Sequence, residues 1–145
     1  MMTASELVRE WKRRMRAGEF DAMGDLVDLD GYTEICLGLT GWTVGFDVAL
    51  ANFVKNMVEP WSEMRQEEVD LVEGVDAVVT RLRVQAVHSG TFLGIAPTGR
   101  RVGWDTVSIV RVRDGRIAGQ WAQPDLYGIQ QQLLSAAPAR HHDAG

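Results

Sequence analysis

The chain is poor in the residues that build the commonest catalytic and metal centres. Its 145 residues include one cysteine, Cys36, so no intramolecular disulfide can form. A catalytic thiolate needs a neighbouring base or a positive field, and Glu34-Ile35-Cys36-Leu37 offers neither. Cys36 reads as a small buried hydrophobe. Histidine occurs three times, as His88, His141 and His142. The last two fall in the C-terminal tail and read as solvated, and no ligand spacing joins His88 to carboxylates, so no metal is expected. No G-x-G-x-x-G fingerprint, P-loop or nucleophile-elbow serine is present, which argues against dinucleotide, phosphate-loop and serine-hydrolase chemistry. No stretch of about 18 apolar residues exists to span a membrane. Positive charge is also short: 15 Lys and Arg against 20 Asp and Glu give a net charge of -5, unfavourable for non-specific nucleic-acid binding. The opening Met1-Met2-Thr3-Ala4-Ser5-Glu6 lacks the basic-then-apolar pattern of a secretory signal, so the expected location is the cytoplasm.

What is present suits one folded domain. Residues are 46% hydrophobic and 24% charged, an ordinary globular balance. One domain is expected over 1–135, with a flexible tail over 136–145. A first helix should start near Thr3, where Thr3-x-x-Glu6 forms a capping box. Leu7, Val8, Trp11 and Met15 give its apolar stripe, and Gly18 stops it. The basic run Lys12-Arg13-Arg14 with Arg16 reads as a solvated face of this helix. A second short helix is predicted over 20–29, a short strand over 32–39 and a third helix over 46–58, ending before Pro60.

Strands follow. Residues 64–72 are a strand candidate and 76–88 form the clearest strand, where Val78, Thr80, Leu82, Val84, Ala86 and His88 share one face. A Gly/Pro-rich loop spans 89–100. Strands over 101–113 and 116–123 flank the hairpin signal Asp114-Gly115, and a closing helix is predicted over 126–134. Helices first and long antiparallel strands afterwards indicate an α+β fold, with a curved sheet whose concave side the helices close over an apolar cavity.

The stretch from His88 to Leu133 carries a more specific pattern. It reads His88-Ser89-Gly90-Thr91-Phe92-Leu93-Gly94-Ile95-Ala96-Pro97-Thr98-Gly99, then Asp114-Gly115-Arg116-Ile117, Trp121-x-x-x-Asp125 and Gln131-Gln132-Leu133. Over about a third of the chain this resembles the SnoaL-like polyketide cyclase family. The resemblance implies a cone-shaped α+β barrel of the kind shared with nuclear transport factor 2. It implies aldol ring closure of an aromatic polyketide by acid/base chemistry, with no bound metal or organic cofactor. Relatives of the same shape are polyketide hydroxylases, which would need a reductase partner. A non-catalytic small-molecule-binding module is a third reading of the fold.

Candidate residues follow from position. Asp125 ends the last strand, so it is either an acid/base group at the pocket rim or the N-cap of the closing helix. His88 ends an apolar strand face and begins the family motif, so it is either a partner in proton transfer or a hydrogen-bonded core residue. Asp105 is an acid/base candidate if its strand face lines the cavity, and an exposed carboxylate otherwise. Alternation separates Trp104, Thr106 and Ser108 from Asp105, Val107 and Ile109, but both sets carry apolar residues and the inner one is not fixed. Tyr32 and Glu34 share a face of the first strand. With Trp104, Trp121, Phe46, Met57, Trp61, Ser108 and Gln123 they form the expected substrate-binding set. A half-open sheet with apolar residues on both faces further predicts a homodimer through a sheet face.

Overall fold

The structure is a computed structural model and describes residues 1–135; the expected tail lies outside the described residues. Helix α1, Ala4–Ala17, begins where anticipated. The Thr3 hydroxyl accepts from Glu6 N–H and the Glu6 carboxylate accepts from Thr3 N–H, while Gly18 closes the helix in the left-handed region at φ 72°. Leu7, Val8 and Trp11 are its buried stripe. The second predicted helix shrinks to a 3-10 turn, Met23–Asp25. Ala22 adopts φ 56°, which breaks any helix entering from residue 20, and Val27 is drawn into a parallel bridge with Ile117.

Strands β1, Thr33–Cys36, and β2, Thr43–Val44, precede helix α2, Phe46–Phe53, which runs into a π-helical turn over Val54–Val58. The long strands are β3, Trp61–Glu73; β4, Ala77–His88; β5, Arg101–Arg113; and β6, Arg116–Pro124. Helix α3, Leu126–Leu134, closes the fold. The sheet order is β2-β1-β6-β5-β4-β3. All pairings are antiparallel except β1 on β6, where Thr33 opposes Gly119 and Cys36 opposes Ala122. Residue 119 has to be glycine for this approach, because a Cβ there would lie 2.3 Å from the Thr33 carbonyl oxygen.

Irregularities in register between Ser62 and Arg65, between Glu68 and Asp70, and between Arg111 and Val112 bend the long strands. The curved sheet with three helices is the α+β fold expected. Two buried clusters form on its concave side. One gathers Leu7, Val8 and Trp11 of α1 with Tyr32, Phe46, Val78, Val110 and Ile117. The other gathers Trp61, Val84, Phe92, Val102 and Trp104 under Ile129 and Leu133 of α3. Tyr32 stands edge-on to both Trp11 and Phe46, with ring centroids 6.2 and 5.3 Å away.

Candidate active site

A cavity opens on the concave side, with walls drawn from both clusters. α1 supplies Trp11, Lys12, Met15 and Arg16; β1 supplies Tyr32, Glu34 and Cys36; α2 and the π-turn supply Phe46, Ala49, Asn52, Phe53, Asn56 and Met57. The sheet floor is Gln66, Leu82, Val84, Thr106, Ser108, Gln120, Ala122 and Pro124. This fixes the face of β5 left open above: Thr106 and Ser108 point in, and Asp105 points out. The enclosed volume is about 130 Å³, below the ~300 Å³ at which sites for drug-sized ligands begin. A polycyclic ligand would therefore have to reach out through the mouth, where Arg16 is exposed.

Glu34 is the chemically distinctive group. Its Oε1 accepts from Tyr32 O–H and, at 3.0 Å, from Gln120 Nε2. Its Oε2 has no protein partner among the described residues. Burial raises the Glu34 pKa above the ordinary carboxylate range, against the opposing pull of the two donors and of Lys12. Burial likewise holds Tyr32 far above its usual value, with Glu34 adding to the effect, so the phenol remains a donor. Cys36 is pushed up to about 11, by burial first and Glu34 second, which keeps the thiol neutral.

Opposite Glu34 in charge is Lys12, whose pKa falls to about 8. Burial is the main cause and Arg16 the second, partly offset by Glu34 and Glu68. Lys12 Nζ lies 3.5 Å from Ser108 Oγ, and Ser108 shares a 2.8 Å hydrogen bond with Thr80.

Of the anticipated binding set, Tyr32, Glu34, Phe46, Met57 and Ser108 come together in the cavity lining. Four residues do not. Trp61 and Trp104 are buried in the second cluster, in contact with ring centroids 4.8 Å apart and planes tilted by 43°. Trp121 and Gln123 alternate to the outer side of β6, and Trp121 lines a shallow hollow there.

The three catalytic candidates also lie outside the lining. Asp105 meets Arg81 Nη1 at 3.0 Å and Arg83 Nε at 3.6 Å on the outer face. His88 is fully buried beside Trp61. Its Nδ1 accepts from Thr98 N–H at 3.2 Å and burial lowers its pKa, so it is a neutral imidazole that anchors the 89–100 loop. Asp125 is exposed, and its Oδ1 accepts from Gly128 N–H at 2.9 Å. The N-cap reading is thus met in the geometry, while the cavity wall ends one residue earlier, at Pro124.

Lys12 and Arg16 were missed. A basic run on an exposed helix looks solvated, and only the seating of α1 on the sheet turns positions 12 and 16 inward. Lys12 and Arg16 are i, i+4 to each other and each follows a residue of the apolar stripe, Trp11 and Met15, by one position, which was the available signal.

The model of the SnoaL-like polyketide cyclase family matches residues 5–133. Among curated proteins, the chain is 35% identical over 80 residues to the aklanonic acid methyl ester cyclase AcmA of Streptomyces galilaeus, covering 55% of this chain and 56% of that one. The chain thus spans only about half the length of that relative. It is 25% identical over 133 residues to the aklanonic acid methyl ester cyclase DnrD of Streptomyces peucetius, covering 92% of each. Among solved structures, a SnoaL-like polyketide cyclase from Agrobacterium tumefaciens superposes with a TM-score of 0.76 at 22% identity, covering 92% of this chain and 99% of that one. TsrD of Streptomyces laurentii does so at 0.69 and 22%, covering 92% and 98%. At such identities the structures speak to fold alone, whereas the family model covers nearly the whole described chain: the protein belongs to the SnoaL-like polyketide cyclase family.

Proposed function

We propose that the protein is an enzyme of antibiotic biosynthesis that closes a ring of an aromatic polyketide by an intramolecular aldol reaction in this cavity. Family membership and the activities named for its curated relatives support the reading. One observation carries it at the level of chemistry: Glu34 is a partly buried carboxylate in an apolar wall, with Oε1 fixed by Tyr32 and Gln120 and Oε2 unbonded. Such a group is a stronger base than a solvated carboxylate and is held in one orientation. Glu34 removes a proton from a carbon flanked by carbonyls. The resulting enolate carbon attacks a second carbonyl of the same molecule, forming one carbon–carbon bond. The new alkoxide takes up a proton, and the product is an isomer of the substrate. Thr106 and Ser108 in the same wall offer hydroxyls to the carbonyl oxygens.

Position at the end of the last strand made Asp125 a candidate for proton transfer. It stands one residue past the cavity-lining Pro124, and its Oδ2 has no protein partner among the described residues. Glu34 holds the proton it removed and gives it up again, and we assign Asp125 the relay of that proton to the alkoxide at the rim, so both carboxylates end as they began. His88 and Asp105, engaged in the loop anchor and the outer ion pairs, take no part.

The test is incubation with an aromatic polyketide, supplied both as the free acid and as the methyl ester, with products separated by chromatography and identified by mass. A ring-closed isomer is the expected product. Gain of one oxygen only when a reductase is supplied would replace the reading with hydroxylation. Binding without turnover would replace it with a binding module. Glu34→Gln should lower turnover by about 100-fold or more, with the Michaelis constant little changed, and Asp125→Asn should lower it less. A folded Asp125→Asn variant that loses more than Glu34→Gln would move the base to Asp125.

The outer face of the sheet supports a homodimer. Trp42 is 67% exposed there and lines a hollow with Ile109 and Trp121, flanked by Arg111 and Arg113, so large apolar side chains with a polar border need cover. Light scattering at micromolar concentration should give the dimer mass, and a stable monomer would contradict this assignment.

A further inference from the structure

Helix α1 carries five basic side chains, and they divide into two kinds. Arg9 pairs with Glu68 at 2.8 Å, Arg13 with Glu10 and Glu19 at 2.9 and 2.8 Å, and Arg14 with Glu10 and Asp25 at 3.0 and 2.8 Å. Lys12 and Arg16 form no ion pair among the described residues. They lie four positions apart, hence on one side of the helix, and that side lines the cavity. Arg16 is exposed at the mouth and Lys12 is half-buried behind it. A third donor in the same wall, Trp11 Nε1–H, is buried without an acceptor among the described residues. Among the described residues Glu34 is the lining's single carboxylate, and its Oε1 already accepts from Tyr32 and Gln120.

The chain has 20 acidic residues, and α1 finds carboxylates for three of its cations. Leaving the two cavity-facing ones unpaired carries a desolvation cost for Lys12 that a bound anion would offset. The lining is mostly apolar and Arg16 is exposed, so the rings of a ligand meet the walls while its polar end reaches out beside Arg16. We propose that Lys12 and Arg16 receive a carboxylate of the substrate, so that the preferred ligand is an aromatic polyketide in its free-acid form and not as the methyl ester. This rests on the reading of the cavity as the substrate pocket. It also sets the chain apart from the curated relatives, which are named for methyl esters.

The test is titration with anthraquinone-2-carboxylic acid and with its methyl ester at pH 7, followed by quenching of tryptophan fluorescence. The acid should bind about tenfold more tightly, and the preference should fall as salt is raised. Lys12→Met should erase the preference while ester binding persists, which also shows that the variant is folded. Arg16→Gln, at an exposed position, should reduce the preference in part. Arg13→Gln, which removes a cation already paired outside the cavity, should leave it intact. Equal affinities in the unaltered protein, or a preference that survives in the Lys12→Met and Arg16→Gln variants, would overturn the proposal and leave the cavity reading standing. Failure of both compounds to bind would overturn the proposal together with the reading it rests on.

Discussion

Lys12 stores a stability cost that pH should reveal. Burial moves its pKa from the ordinary 10.5 to about 8, so the folded chain holds this proton less firmly than the unfolded one. Between about pH 8 and pH 10.5 the unfolded state binds more protons, and the stability linked to this group rises with pH. Below pH 8 the full deficit is present. Lys12→Met should therefore raise stability at pH 7 by on the order of 1–3 kcal/mol, a gain that shrinks by pH 10. Urea midpoints at the two pH values check this; an equal gain at both would contradict it. The same buried side chain that binds an anion thus weakens the unliganded fold. At this scale the sequence was informative where period alone decides. Tyr32 and Glu34 share a face at spacing two, and both reach the cavity. It was uninformative where the seating of one element on another decides. Asp105 and Ser108 could be separated by alternation but not assigned to inside or outside, because Val107 and Ile109 make the outer face of β5 as apolar as the inner.

Elements were legible wherever local chemistry sets a boundary. Thr3, Glu6 and Gly18 bound α1, and Asp114 and Gly115, with φ of 52° and 74°, make the tight turn between β5 and β6. Residues 20–29 read as a helix from the spacing of Phe20, Met23, Leu26 and Val27, but Ala22 in the left-handed region and the bridge of Val27 to Ile117 take precedence. Tertiary pairing overrode a weak local preference. The closing motif has a structural role that its letters do not disclose. The Gln132 side chain accepts from Gly103 N–H at 3.0 Å and donates to the Gly103 carbonyl at 2.8 Å and the Gly128 carbonyl at 3.0 Å. It acts as a short length of backbone that fastens α3 to β5. Gln132→Ala leaves buried Gly103 without either partner and should cost on the order of 2–4 kcal/mol, measured as a lowered urea midpoint with an unchanged m-value. A loss below about 0.5 kcal/mol would show that water replaces the amide.

For the whole molecule, the order of helices before long strands was enough to assign the α+β class, and the motifs from His88 to Leu133, taken in order, were enough to identify the family. Neither disclosed the parallel seam of β1 on β6, which joins residues about 86 positions apart and places Glu34 beside Gln120. That seam makes the site: it gives a carboxylate on a short strand near the N-terminus a hydrogen-bond donor from the last strand, inside a cavity left between two packed clusters. The account stands on Glu34 acting there as the base, and the rate of ring closure in a single turnover, measured against pH with enzyme in excess, tests it most directly. The rate should climb as Glu34 ionises, with its inflection above the usual carboxylate range, and Glu34→Gln should be slower by about 100-fold and lack that climb. A Glu34→Gln variant that closes the ring at the unaltered rate, with the same inflection, would contradict the account.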